Sequence, residues 1–462
     1  MLLAGRERAE LAPGERDPQI ATAAMTRLLL RTFVTIACLL VVSSPAAAAT
    51  GVAASGASHA SSGACRGVRV GPADDVMSVL GRHAARGTTF CFGAGVYHTG
   101  QIYPPASGDV LDGTSGAVLD GGWTYGRAIA NYHDVSDVTI RGFEIRHYAN
   151  ATGAEDGAIS AWHGGGWTIQ HNRIHDNGAS GITLGLGGHM VARWNVLERN
   201  GCAGINSTGV DNVIAGNDIT GNGFGPFRVL GWSCGGGKSN RSFGLRFVGN
   251  NVHGNRGHGF WFDGGNTSVT VERNRFVHNT VGGLMIEIND PDHGGPHLRM
   301  RGFGFKVLHN VFSGNGFAHP NRVMYGDAID IAASSHVVVA GNRITAYNAH
   351  AITLTCTARA GFPGQDLRVH DVSVHDNRIA LRESRPLSNP FDDLGRVGFY
   401  SATPGQPAPS GISFFDNRYF FDHPRTYHFS LPRRGASTPY RLATWRQWKR
   451  AGFDRGSTAA RR

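Results

Sequence analysis

Lysine is almost missing from this chain: of 462 residues only Lys238, Lys306 and Lys449 carry it. The formal charge of +10 is therefore scattered arginine. No basic stripe interleaves with stacking aromatics, which excludes a nucleic-acid-binding surface while leaving an acidic polymer compatible as partner. Long hydrophobic runs are scarce as well. The one near the start, residues 28–42, is short for a bilayer span, has Arg27 and Arg31 at its N-terminal end, and leads into Ser43, Ser44, Pro45 and four alanines. That order of charged, apolar and small residues reads as a signal peptide, so a secreted protein without a stable membrane span is expected. Cysteine is the third scarcity, with six in the chain and Cys38 inside the leader. In an oxidising compartment we expect Cys65 to pair with Cys91 and Cys202 with Cys234. Cys356, in an apolar run, is left as a small core residue.

Glycine is what the chain has most conspicuously, 66 residues, beside 41% apolar content. The first argues for many turns and short strands, and the second excludes wholesale disorder. The organising signal is a pair of asparagines five residues apart, repeated at Asn172/Asn177, Asn195/Asn200, Asn217/Asn222, Asn250/Asn255, Asn274/Asn279 and Asn310/Asn315. Where the copies are not enlarged they follow one another at 22 to 24 residues, as 195 − 172 = 23, 217 − 195 = 22 and 274 − 250 = 24. Such a period fits one turn of a solenoid whose every coil carries short strands. Each copy runs through a β-branched strand into Asn-x-apolar, a turn, then glycine and an apolar residue, as in Gly181-Ile182, Gly204-Ile205, Gly259-Phe260 and Gly283-Leu284. The asparagines themselves read as structural, their amides bonding along the stack.

The expected fold is all-β: a right-handed parallel β-helix solenoid with a short N-terminal capping helix. Residues 1–49 are leader and signal peptide, 50–92 the N-terminal segment and capping helix, 93–420 the solenoid, and 421–462 a C-terminal cap and disordered tail. The helix is placed at residues 72–80, where Asp74 and Asp75 precede apolar spacing. Residues 440–453, with Trp445 and Trp448, should fold back over the last coil, and the residues after Gly456 should be disordered. A monomer is expected.

Alternation along a strand places the chemistry. With Phe260 and Phe262 inward, Trp261 and Asp263 face out. With Leu284 and Ile286 inward, Met285 and Glu287 face out, and the 24-residue offset puts Glu287 one coil above Asp263. Adjacent strands lie about 4.8 Å apart, so the two carboxyls should stand roughly 5 Å from each other. A pair at about 5 to 5.5 Å suits a glycosidase that retains anomeric configuration. Residues 223–240 and 289–305 read as long loops walling a cleft, and Lys238, in the first of them, is placed in the same outward column as Asp263. Asn206 lies before this region and Asp330 after it on the same face, Trp261 could stack on a sugar ring, and His258 is a reserve acid or base, although a solvated turn position is the plainer reading. Asp290 and Asp292 offer calcium-type oxygen ligands but lack a spacing motif, so a surface turn is expected and no cofactor.

Gly87-Thr88-Thr89-Phe90-Cys91-Phe92, the Asn-x-Ile rungs, and Gly235-Gly236-Gly237-Lys238 followed by Gly259-Phe260-Trp261-Phe262-Asp263 together resemble the pectate-lyase-like right-handed β-helix superfamily, over nearly everything after the leader. A narrower, local resemblance is to the β-helix retaining β-xylosidases. It implies that Asp263 is the nucleophile and Glu287 the acid/base, and that a poly- or oligosaccharide is the partner. Two other functions remain open on the sequence. One is a lyase or epimerase acting on a uronate polymer, with Lys238 or an arginine abstracting the C5 proton. The other is a non-catalytic carbohydrate-binding solenoid.

Overall fold

The computed structural model describes residues 65–461 apart from 132–133, 150–155, 226–233, 292–302, 319–323, 358, 360–366, 385–395, 402–408, 425 and 433–439. The leader, Asp292 and parts of both anticipated loops lie outside the described residues. Each regular coil contributes three short strands to three parallel ladders. One coil is built from Arg246–Val248, Asn251–His253 and His258–Asp263, and the next from Val269–Glu272, Arg275–Val277 and Gly282–Asn289. Their registers are direct, Phe247 opposite Val271, Val252 opposite Phe276 and Phe260 opposite Leu284. Among the described residues every strand pairing named so far up the stack is parallel, and the antiparallel one, Phe429–Pro432 with Tyr440–Ala443, belongs to the C-terminal cap.

Stacking equivalent apolar residues fills the interior. Phe276 lies 4.9 Å from Phe312, its equivalent one coil on, with ring planes 5° apart, and Phe247 packs against Phe276 at 6.0 Å from a neighbouring ladder. All three are fully buried. Burial of this kind along the whole axis is what makes a coil stable that would not be stable alone.

The asparagines form two continuous ladders. In the first, Asn172, Asn195, Asn217, Asn250, Asn274, Asn310, Asn342, Asn377 and Asn417 follow one another. From Asn195 onward each side-chain oxygen accepts from both the backbone N–H and the side-chain amide of the asparagine one coil earlier, as Asn274 Oδ1 does from Asn250 at 2.8 and 3.0 Å. The second ladder runs from Asn177 to Asn315. Buried amides are thus paired at two of the corners where the chain changes ladder, which is the structural reading of the repeat.

Both ends are capped. The helix Val76–Arg82 starts at Asp75, whose side chain accepts from the Ser78 N–H, and buries Val76, Val79 and Leu80. The strand Val68–Val70 already pairs with Thr89–Phe92 ahead of the next coils, so the ladders begin before residue 93. At the other end the helix Trp445–Arg450 carries a capping box between Thr444 and Gln447 and places Trp448 against Phe414, Phe429 and Phe453 at 5.1, 4.9 and 4.4 Å. The expected disordered tail is corrected here: Thr458–Arg461 is a strand pairing with Arg418–Phe421. An unpaired last rung would expose a row of backbone groups, and the tail supplies their partners. Replacing Trp448 by alanine should cost about 3–5 kcal/mol of stability. A urea melt of the variant that leaves the midpoint unmoved would remove the cap from the account of stability.

Both expected disulfides form, Cys65–Cys91 and Cys202–Cys234. Cys356 is a buried free thiol within the main core, and burial pushes its pKa up to about 12. Among the described residues no helix is long and apolar enough to cross a membrane.

Candidate active site

Asp263 and Glu287 are paired directly across adjacent strands and both side chains leave the core, as the alternation required. The same strands set Trp261 opposite Met285, and Met285 opposite Asp330 on the following coil. Outward does not mean exposed. Trp261, Met285 and Ala332 form a second apolar cluster with Met324, against which Tyr325 packs. Beneath this cover lies a cavity of about 330 Å3, lined by His258, Trp261, Asp263, Met285, Glu287, Ile288, Met324, Tyr325 and Arg359.

Each acid has its own cation. Lys238 Nζ lies 2.9 Å from Asp263 Oδ2 and 4.4 Å from the centroid of the Trp261 ring. Arg359 Nε donates to Glu287 Oε1 at 2.5 Å. Burial raises the Glu287 pKa, and the charge of Asp263 adds to the rise, while the Arg359 guanidinium and Lys238 oppose it; burial prevails. Glu287 therefore holds its proton to higher pH than an ordinary glutamate, next to a carboxylate that a lysine clamps.

Local packing explains how Lys238 is aimed. It sits in the nine-residue strand Gly235–Phe243, not in a loop, which corrects the sequence reading. It pairs with Trp261, two positions back from Asp263, and so reaches the acid diagonally instead of standing in its column. A side chain at the preceding Gly237 would meet the Ile205 carbonyl at 2.4 Å and the Phe260 ring at 2.5 Å. Glycine there lets Phe260 fill the core while the next residue turns outward.

Asn206 pairs with Lys238 one coil earlier and is buried, its amide donating to Ser180 Oγ at 3.0 Å; it does not line the cavity. Asp330 is buried one coil beyond Met285, also off the cavity wall. Its Oδ1 accepts from Thr353 and Thr355, and burial together with neighbouring Asp327 pushes its pKa well up. His258 is not a solvated turn residue: it opens the strand His258–Asp263 and is 3% exposed. The Trp261 ring is 7% exposed with the lysine over it, so it is a wall and not an open stacking platform. Asp290 is fully buried next to the paired Asn289, which removes the surface-turn reading. Sequence reasoning missed Met324, Tyr325 and Arg359, which come from later connections. Away from the cavity, His336, His370 and Asp371 each bring a metal-capable atom within 4.8 Å of the others.

A family model described as right handed beta helix region matches residues 157–295. No curated protein matches the chain in sequence. Among solved structures, the A-module of the Azotobacter vinelandii mannuronan C-5 epimerase AlgE6 superposes with a TM-score of 0.55 at 13% identity, covering 83% of this chain and 94% of that one. The AlgE4 A-module from the same organism gives 0.49 at 13% identity, with 74% and 89% covered. The complex of XylC with xylose gives 0.35 at 15% identity, with 64% and 52% covered, a weak likeness. At such identities the AlgE6 match bears on the fold alone. The ladders, the family model over residues 157–295 and that superposition agree that the chain folds as a right-handed parallel β-helix.

Proposed function

We propose that the chain is a secreted carbohydrate-active enzyme that hydrolyses glycosidic bonds with retention of configuration, using Asp263 as nucleophile and Glu287 as acid and base. The observation that carries this reading is the direct cross-strand pairing of the two acids on the wall of one cavity, each held by a separate cation. Neighbouring rungs stand about 4.8 Å apart, which suits the short carboxyl separation that retention needs. Asp263 attacks the anomeric carbon as Glu287 gives its proton to the departing glycosidic oxygen, and a glycosyl ester on Asp263 results. Esterification cancels the negative charge that helped raise the Glu287 pKa. Glu287 is then more acidic and takes a proton from water, whose oxygen attacks the anomeric carbon and frees Asp263. The two disulfides support export into an oxidising compartment.

Proton NMR of the first product formed from a neutral oligosaccharide tests the assignment. Retained configuration at the new reducing end is expected. Inverted product, or an unsaturated uronate product in place of hydrolysis, would discard it.

A further inference from the structure

We propose that His258 and Trp261 make the cavity a reader of sugar hydroxyls, so that the ring seated beside Asp263 and Glu287 is an uncharged sugar residue and not a uronate. This rests on the reading above that the cavity receives a glycan. His258 and Trp261 line the cavity, and among the described residues neither ring nitrogen of His258 nor Nε1 of Trp261 has a hydrogen-bond partner. Leaving a buried donor or acceptor unmet costs about 1–3 kcal/mol, so a ligand that meets them recovers that cost on binding. Glycine at position 282 makes the room, since a Cβ there would lie 2.7 Å from His258 Nδ1. The Trp261 and Tyr325 rings flank the imidazole at 5.8 and 6.5 Å.

The protonation state decides what the imidazole can read. Burial lowers the His258 pKa to about 4, against a smaller opposing pull from Asp327, so the ring is neutral near pH 7. A neutral imidazole offers one donor and one acceptor, and indole Nε1 one donor. A hydroxyl both gives and takes, so it can meet an imidazole nitrogen in either of its roles. A carboxylate only accepts. It would leave the acceptor nitrogen of His258 unmet and bring a charge into a cavity whose two cations, Lys238 and Arg359, already bind Asp263 and Glu287.

Calorimetry and thermal melts of the full chain with xylose, glucose, galactose, glucuronate and galacturonate test this. Saturable binding of at least one neutral sugar is expected, weakened about tenfold or more in His258→Phe and only partly in His258→Gln, which keeps a donor and an acceptor. Trp261→Phe, which removes Nε1–H while keeping an aromatic wall, should weaken it by a smaller factor and serves if His258→Phe does not fold. Tighter binding of the uronates, binding indifferent to His258, or no binding of any of the five would overturn the inference. Hydrolysis of neutral glycans that is unaffected by His258→Phe sinks this inference and leaves the hydrolase standing. Histidine-dependent binding of a neutral sugar without hydrolysis of any glycan does the reverse.

Discussion

Glu287→Gln is expected to lower kcat on an unactivated glycan by roughly a thousandfold, within the range a positioned general acid contributes, and Asp263→Asn by at least as much. The two losses should differ in kind. A substrate with an acidic phenol as leaving group needs little protonation, so Glu287→Gln should form the glycosyl ester on it quickly and then stall, showing a burst. Asp263→Asn has no nucleophile and should show none. Added azide, which attacks without a general base, should rescue only the glutamine variant. The pH profile supplies an independent check. Because burial and the charge of Asp263 raise the Glu287 pKa, the wild-type kcat should fall on the alkaline side at a pH above the ordinary glutamate value of 4.5, as the acid ionises. The same group contributes to stability with a matching sign. A folded pKa above the unfolded one means the contribution is full below the unfolded pKa and is lost as pH rises through the folded one. Glutamine cannot ionise, so the variant should lack both the kinetic limb and this loss. Equal kcat in wild type and Glu287→Gln would end the hydrolytic assignment.

The features legible in the sequence were those that repeat or alternate. Asparagines at a fixed interval specify corners whatever the loops do, and strand alternation is a local rule, so the pairing of Asp263 with Glu287 followed from two short segments alone. Lys238 shows where counting breaks down. It lies 250 − 238 = 12 residues before its asparagine, whereas its true neighbour Trp261 lies 274 − 261 = 13 before its own. The corner is one residue shorter on the lysine coil, and a count from the asparagine shifts the column by one. Covering residues were not legible at all. Arg359 is 72 positions from Glu287, and Met324 and Tyr325 arrive from a connection with no periodic signal. Their arrival buries Trp261 and His258 and turns an open face into a cavity. The tail after Gly456 looked disordered because it is short and polar, but the last rung needed a partner and took it.

Asn250→Ala should cost about 4 kcal/mol, one of the largest single losses available outside the aromatic core, because several buried groups lose partners of about 1 kcal/mol or more each. Asn250 Oδ1 accepts from the backbone N–H and the amide of Asn217 at 2.9 and 3.0 Å, and its own amide donates to the Ile214 carbonyl at 2.9 Å and to Asn274 Oδ1 at 3.0 Å. Alanine leaves the donors of Asn217 and the carbonyl of Ile214 buried and unmet. Asn250→Asp should be worse than alanine despite its near-identical shape. The carboxylate still accepts from Asn217, but its second oxygen then faces two acceptors, and none of its bonded partners among the described residues is a cation. The end of the same ladder shows the rule from the other side. There Asp454 follows Asn417 and is tolerated because all that surrounds it donates: the Asn417 amide at 3.0 Å, Ser457 Oγ at 2.6 Å, Tyr419 OH at 2.9 Å and Trp448 Nε1 at 2.5 Å. A carboxylate thus fits where the ladder stops and not where the side chain must also donate onward. Urea melts near neutral pH order the three proteins, with wild type above Asn250→Ala above Asn250→Asp. An aspartate variant as stable as wild type would show that the ladder does not depend on each amide both giving and receiving.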